Sequence, residues 1–317
     1  MKRGLLALAL SAALSAALSA ALVSPTLAAP RVVVSIKPLQ SLVAMVMQDI
    51  AVPSAIVKSA GSPHTFAMTP SQAAELAGAD LIVRVGHDLE AFLDKPIDAL
   101  GGRARILELI EAEGLETLPL REGGPFEEHE AAGRGDAADH GGTEGVDPHI
   151  WLDPRNAKAI LTAAAEVLGA IDPANAAKYS ANADRAAAQL DDLEGEIRAM
   201  LAPVQGRRFI VFHDAFQYFE NRFDLPASGS ITVNPENAPG AERLAQLRAK
   251  VRDLAVACVF AEPQFPPRLV DTVIEGTPAR KGALDPDGGV GLAEGPQLYF
   301  TLLRNMAAAM RDCLAAS

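Results

Sequence analysis

The sequence predicts an α/β fold of two lobes with mainly parallel sheets, joined by one long backbone helix. Three observations lead there. Short apolar runs alternate with helical stretches between Arg31 and Leu107, the alternation resumes after Phe209, and between them lies one helical stretch longer than a small lobe needs. Strands that alternate with helices pair in parallel, with the helices covering the sheet faces. The 317 residues admit two domains of ordinary size, and 49 % apolar content supplies a core for each.

In chain order, residues 32–36 read as a strand, a helix begins near Leu39, and residues 55–58 read as a second strand. Thr69 and Pro70 open the next helix, threonine as N-cap and proline at the first position. Residues 81–85 form a strand, 89–100 a helix and 105–107 a short strand. Asp153 caps a helix that has Pro154 at its first position, and Asp172-Pro173 starts another in the same way. That second helix runs to about Leu201, with Leu190, Leu193, Ile197 and Met200 at three- and four-residue steps on one stripe. Residues 209–212, 257–261 and 283–284 resume the strand series. The implied division is 29–171 for the first lobe, 172–204 for the linking helix and 205–317 for the second lobe.

The N-terminus addresses the chain for export. Lys2 and Arg3 precede an Ala/Leu-rich run, and small residues up to Ala28 suit peptidase cleavage, so residues 1–28 read as a signal peptide. An uncleaved anchor is the alternative, since the run nears the roughly 20 residues of a membrane span. No cysteine near the cleavage region offers a lipid anchor. Cys258 and Cys313, the two cysteines of an exported chain, are expected to pair as a disulfide rather than to bind metal. A net charge of −12 without any Lys/Arg cluster excludes nucleic acid as a partner.

Residues 121–146 break the rhythm with Gly, Ala, Asp and Glu and contain His129 and His140. Lacking periodic apolar residues, the segment reads as a mobile acidic loop, with weak auxiliary metal capture as its functional reading. His64, His149 and His213 each follow a strand or precede a helix cap, where an alternating sheet presents its ligand-binding edge. Imidazole is the usual nitrogen ligand of zinc, and Asp285 or a water could complete a tetrahedron. Spacing alone leaves open that these histidines are structural. His87 is expected at a helix cap or on the surface, Glu262 in a structural hydrogen bond, and Asp214 either orienting a ring or capping the next helix.

The stretches SPHTFAMTPSQAAELAGADLIVRVG, HIWLDPRNA, FIVFHDAFQYFENRFDL, ITVNPENAPGAERL, CVFAEPQFPPRLV and GALDPDG together resemble the ZnuA-type zinc-uptake binding proteins. The resemblance covers nearly all of the mature chain, in order. It implies a periplasmic carrier, a monomer, that holds Zn²⁺ between its lobes. Its partners would be an inner-membrane ABC permease and the cytoplasmic ATPase of that permease. It makes His64, His149 and His213 the zinc ligands, with a nitrogen at 213 where related manganese and iron importers carry glutamate. Pro63 stands where some members place a ligating glutamate, and the loop is poor in histidine for the family. Two other functions use similar parts: a zinc hydrolase with three histidines, against which no H-E-x-x-H helix is present, and a metal-dependent adhesin on the same fold.

Overall fold

A computed structural model describes residues 28–58, 61–100, 102–121, 126, 145–232, 235 and 239–315. The proposed signal peptide, apart from Ala28, and both loop histidines, His129 and His140, lie outside the described residues.

The first sheet is parallel throughout, in the order β2-β1-β3-β4: β1 Val32–Ile36, β2 Ser54–Val57, β3 Leu81–Arg84 and β4 Arg105–Glu108. The second sheet repeats that plan as β6-β5-β7-β8: β5 Phe209–His213, β6 Ser230–Thr232, β7 Cys258–Ala261 and β8 Arg280–Ala283. The central strands β1 and β5 are buried at every position, as expected of strands with helices on both faces. Edge strand β8 exposes alternate residues, and its Arg and Lys shift the strand three residues upstream of the expected apolar pair 283–284. An edge strand tolerates charge, so hydrophobicity misplaces it.

Helix α1, Lys37–Val46, follows β1 directly, and α2, Pro70–Ala77, carries the expected cap. Thr69 Oγ1 accepts from Gln72 N, and the Gln72 side chain accepts from Thr69 N. The helix expected over 89–100 is broken into α3, His87–Glu90, a 3₁₀ turn, and α4, Asp94–Ala99. Pro96 accounts for the break, because its ring cannot donate to residue 92 and clashes with that carbonyl.

Helix α5, Pro154–Ile171, starts at Asp153, whose carboxylate accepts from Arg155 N at 2.8 Å. The long helix α6, Ala176–Leu201, has 26 residues, about 39 Å at 1.5 Å per residue. It does not open on an Asp172 cap. A 3₁₀ turn, Pro173–Asn175, intervenes, and the Asp172 carboxylate accepts instead from Tyr179 Oη and Asn175 Nδ2. As expected, α6 joins the two lobes. Its stripe of Tyr179, Ala183, Ala186, Leu190, Leu193, Ile197 and Leu201 packs into one core that includes Val34 of β1, Phe209 of β5 and the C-terminal helix. Asn182, buried in the same stripe, donates to the carbonyls of Val46 and Gln48, satisfying acceptors left over at the end of α1. The two sheets thus share a continuous apolar back, with smaller clusters on their outer faces.

The second lobe continues with α7 Gln217–Phe223, α8 Ala241–Asp253, α9 Arg268–Ile274 and α10 Leu298–Ala315. Cys258 of β7 and Cys313 of α10 form a disulfide with Cα atoms 6.1 Å apart, closing a separation of 55 residues. Loop closure of that length contributes about 4 kcal/mol in the chain-entropy account. Beside it the backbone of Gly282 lies flat on Phe260, where a Cβ would sit 2.4 Å from the ring. No helix among the described residues is long and apolar enough to cross a membrane.

Candidate metal centre

The three candidate histidines arrive from different parts of the chain. His64 lies in a 3₁₀ turn, Pro63–Thr65, beyond β2, where Ser62 Oγ accepts from its backbone N–H. His149 leads a second 3₁₀ turn, Ile150–Leu152, that feeds α5, and His213 is the last residue of β5. In the folded chain the three rings meet between the carboxyl ends of the two sheets. His149 Nε2 is 3.4 Å from His64 Nε2 and 3.2 Å from His213 Nε2, and all three donor atoms lie within 4.8 Å of one another. Zn–N bonds of 2.0–2.1 Å at tetrahedral angles place neighbouring nitrogens about 3.3–3.4 Å apart, so the separations of 3.4 and 3.2 Å suit one zinc ion.

Two rings are held by carboxylates on their far side. Asp147 Oδ1 accepts from His149 Nδ1 at 2.7 Å and from His149 N at 3.0 Å. Glu262, just past β7, accepts from His213 Nδ1 at 2.8 Å and from His213 N at 3.1 Å. A carboxylate on Nδ1 fixes that nitrogen as the N–H, which leaves Nε2 with its lone pair facing the centre and makes it a stronger donor. Glu262 therefore makes the hydrogen bond expected of it, and that bond serves the site. Asp147 escaped sequence reading, although its place two residues before His149 lets a short carboxylate reach back to the ring.

Burial and charge divide the rings. Desolvation, with the neighbouring rings adding, holds His64 and His149 well below the ordinary imidazole range. Burial pulls His213 down too, but Glu262, Asp287 and Asp214 outweigh it and raise this ring above the ordinary range. Burial pushes Asp147 up to about 7 and Asp287 up to about 8, the latter helped by Asp285 and Glu262. Negative charge without a cation is thus costly here, and a divalent ion would relieve it.

The remaining expectations fall elsewhere. Asp285 lies outside the histidine cluster: its carboxylate accepts from Gln264 Nε2 at 2.8 Å, Asp287 N at 3.2 Å and Val290 N at 3.2 Å, folding the turn that follows β8. Asp214 neither orients a ring nor caps a helix. It pairs with Arg121, which also binds Glu220, with Nη1 donating to Oε2 at 2.6 Å. His87 begins α3 and contacts Asp94 through Nδ1 at 2.6 Å.

The cleft is stitched across. Tyr218 Oη donates to Asp147 O and accepts from Leu118 N, Arg222 grips Asp153, and Trp151 Nε1 donates to Pro286 O. Trp151 is fully buried with its ring 5.3 Å from that of His149, so the wall behind the site is both apolar and locked.

Comparison with known proteins agrees on the family and the fold. Residues 32–313 match the family described as ZnuA, zinc-uptake complex component A, periplasmic. The "High-affinity zinc uptake system protein ZnuA" of Brucella suis is 47 % identical over 306 residues, covering 90 % of this chain and 91 % of that one. The protein of the same name from Yersinia pestis is 36 % identical over 299 residues, covering 91 % and 92 %. A crystal structure of ZnuA superposes with a TM-score of 0.74 at 26 % identity, covering 90 % of this chain and 98 % of the other. A laminin-binding adhesin of Streptococcus agalactiae shares the fold at 23 % identity and a TM-score of 0.73, covering 90 % and 99 %. With three converging imidazoles on a two-lobed parallel α/β frame and this similarity along nearly its whole length, the chain belongs to the ZnuA family of periplasmic zinc-uptake components.

Proposed function

We propose that this protein captures Zn²⁺ in the periplasm between its two lobes and hands it to an ABC-type permease driven by a cytoplasmic ATPase, without itself being an enzyme. The observation that carries the reading is the meeting of three imidazole nitrogens within 4.8 Å of one another, with His149 at zinc spacing from both others and two of the rings backed by carboxylates. All-nitrogen donors suit zinc better than the harder manganese ion. The names of the curated relatives supply the transport context. Against the zinc-hydrolase alternative, the carboxylates of Asp147 and Glu262 are both spent on the rings. Equilibrium competition against a zinc chelator should give one tight zinc per monomeric chain. An ester-hydrolysis assay on the same sample should stay at background, and turnover at the loaded site would transfer the reading to an enzyme.

The ligand set we infer is His64, His149 and His213 with a water in fourth place. Asp285 could bind only by leaving the turn that it organises. Asp285→Ala is therefore expected to weaken zinc by less than the roughly 10–100-fold that loss of a ligand's own hydrogen-bond partner costs. A loss of several orders of magnitude in the same competition assay would make Asp285 the fourth donor.

Protons should compete chiefly at one ring. Zinc needs neutral imidazole, and lowering the pH protonates first the ring whose affinity for protons is raised, which is His213. His64 and His149 stay neutral to lower pH because their proton affinities are depressed. Zinc affinity should therefore fall as pH drops through the raised titration of His213, with the buried carboxyls Asp147 and Asp287, at about 7 and about 8, adding to the protons that zinc displaces. Three remote histidines met only in sequence would suggest a steep loss at once. Isothermal titration between pH 8 and 5.5, in buffers of different ionisation enthalpy, reads the proton count directly, and an affinity that stays flat across this range with no proton release would contradict this account.

His129 and His140 are assigned at most weak, additional zinc. The chain leaves and re-enters the first lobe at adjacent points, with Leu120 N donating to Gly145 O and Asp147 N donating to Leu118 O. Replacing residues 122–144 by two glycines should keep the tight zinc and remove only weak extra equivalents, measured by metal analysis after dialysis. Loss of the tight zinc would place one of those histidines in the principal set.

A further inference from the structure

At the other end of the second sheet lies a hollow that the zinc site does not use. It has a volume of about 440 Å³, and its walls include Arg207, Arg208, Arg280 and the turn around Ala255, with no acidic residue in the lining. Arg207 and Arg208 immediately precede β5 and Arg280 begins β8, so the hollow sits at the amino ends of the strands. His213 lies at the opposite end of β5, five residues beyond Arg208 and about 16 Å away at 3.3 Å per residue.

The charge in this hollow is not neutralised by the protein. Arg84, Arg121, Arg155, Arg222 and Arg304 each rest against one or two carboxylates. Among the described residues, the guanidiniums of the hollow have none. Arg208 Nη1 donates to the carbonyl of Leu254 at 2.8 Å, and Arg280 Nη2 donates to the carbonyl of Cys313. Both contacts hold the side chain in place without cancelling its charge. Arg280 Nε–H is in addition buried without an acceptor. Three cations held around one concavity repel each other until a counter-charge arrives, and on a chain of net charge −12 such a gathering is a local exception to the surface.

We propose that this hollow binds a phosphate group, carried by free phosphate, by a small phosphate ester or by the headgroup of an anionic lipid. Guanidinium forks match oxyanions in pairs, and a tetrahedral dianion presents oxygens to more than one fork at once, whereas a single carboxylate fills one. The hollow opens to solvent through Arg207 and Arg208, both exposed, so a ligand can enter without movement of the core.

The test uses the full zinc-loaded protein in low-salt buffer, because exposed charges are screened beyond about 10 Å at 0.1 M salt. Isothermal titration with inorganic phosphate should show one saturable site per chain, weakened at least tenfold in Arg207→Gln and further in Arg207→Gln/Arg208→Gln. Flotation with phosphatidylglycerol vesicles forms the second arm, and vesicle binding without a response to phosphate assigns the site to the lipid headgroup. Among the described residues the Arg207 side chain makes no hydrogen bond, its backbone N–H to Val204 O survives substitution, and zinc stoichiometry measured on the same samples reports that each variant is intact. Absence of both responses, or binding that survives the double substitution, overturns the proposal.

Discussion

Replacing His213 by alanine should lower zinc affinity by a factor on the order of a thousand or more, since loss of an orienting partner alone costs about 10–100-fold and here the donor itself is removed. The substitution has a second consequence. Glu262 is 3 % exposed, and its carboxylate loses the Nδ1–H that it holds at 2.8 Å. Oε1 keeps the backbone N–H of residue 213, but Oε2 loses the ring it met at 2.9 Å, and a buried acceptor left so costs about 1–3 kcal/mol, so the zinc-free variant should also unfold at a lower temperature than the parent. Glu262→Gln separates the two effects. It keeps a carbonyl oxygen for the ring, removes the charge that raises His213, and is expected to lose about 10–100-fold in affinity. Chelator competition on the parent and both variants, with thermal unfolding of the zinc-free forms, reads all of this. Zinc binding by His213→Ala within tenfold of the parent would show that the third donor lies elsewhere.

Trp151→Ala should be the most damaging single change to the fold near the site, destabilising the protein by about 3–5 kcal/mol through the cavity it leaves. Trp151 is 0 % exposed, its indole N–H donates to Pro286 O at 2.9 Å, and its carbonyl accepts from Tyr299 Oη at 2.6 Å. The ring therefore ties the turn before α5 to the segment after β8, across the cleft. Guanidinium unfolding followed by circular dichroism gives the loss, and a change under 1 kcal/mol would mean that the surrounding side chains collapse into the space. Because Trp151 is the only tryptophan of the chain and its ring is 5.3 Å from that of His149, its fluorescence should also report zinc arrival in the parent protein.

Much of this was legible in the residues. Alternation of apolar runs and caps gave the strand series, because a parallel strand must be apolar on both faces and a crossover helix needs a cap such as Thr69 or Asp153. Failures came where local signals compete. Pro96 cut a helix whose apolar pattern continued through it, and the charges of β8 hid a strand that lies at an edge.

The sequence by itself determined the two-lobed α/β class, the pairing of Cys258 with Cys313, and the three histidines as candidates, the last with the help of family resemblance. These depend on residue type and local order, which survive in one dimension. Only the tertiary structure decided that the three Nε2 atoms meet, that Asp147 and Glu262 stand behind two of them, and that Asp285 and Asp214 are engaged elsewhere. It also decided that α6 joins the lobes by lying along their shared core. The physical reason is that a hydrogen bond to a ring nitrogen is a matter of tenths of an ångström between side chains 49 residues apart, as for His213 and Glu262. Such a distance is set by how both sheets pack on the helices between them, and no local pattern in the chain encodes it.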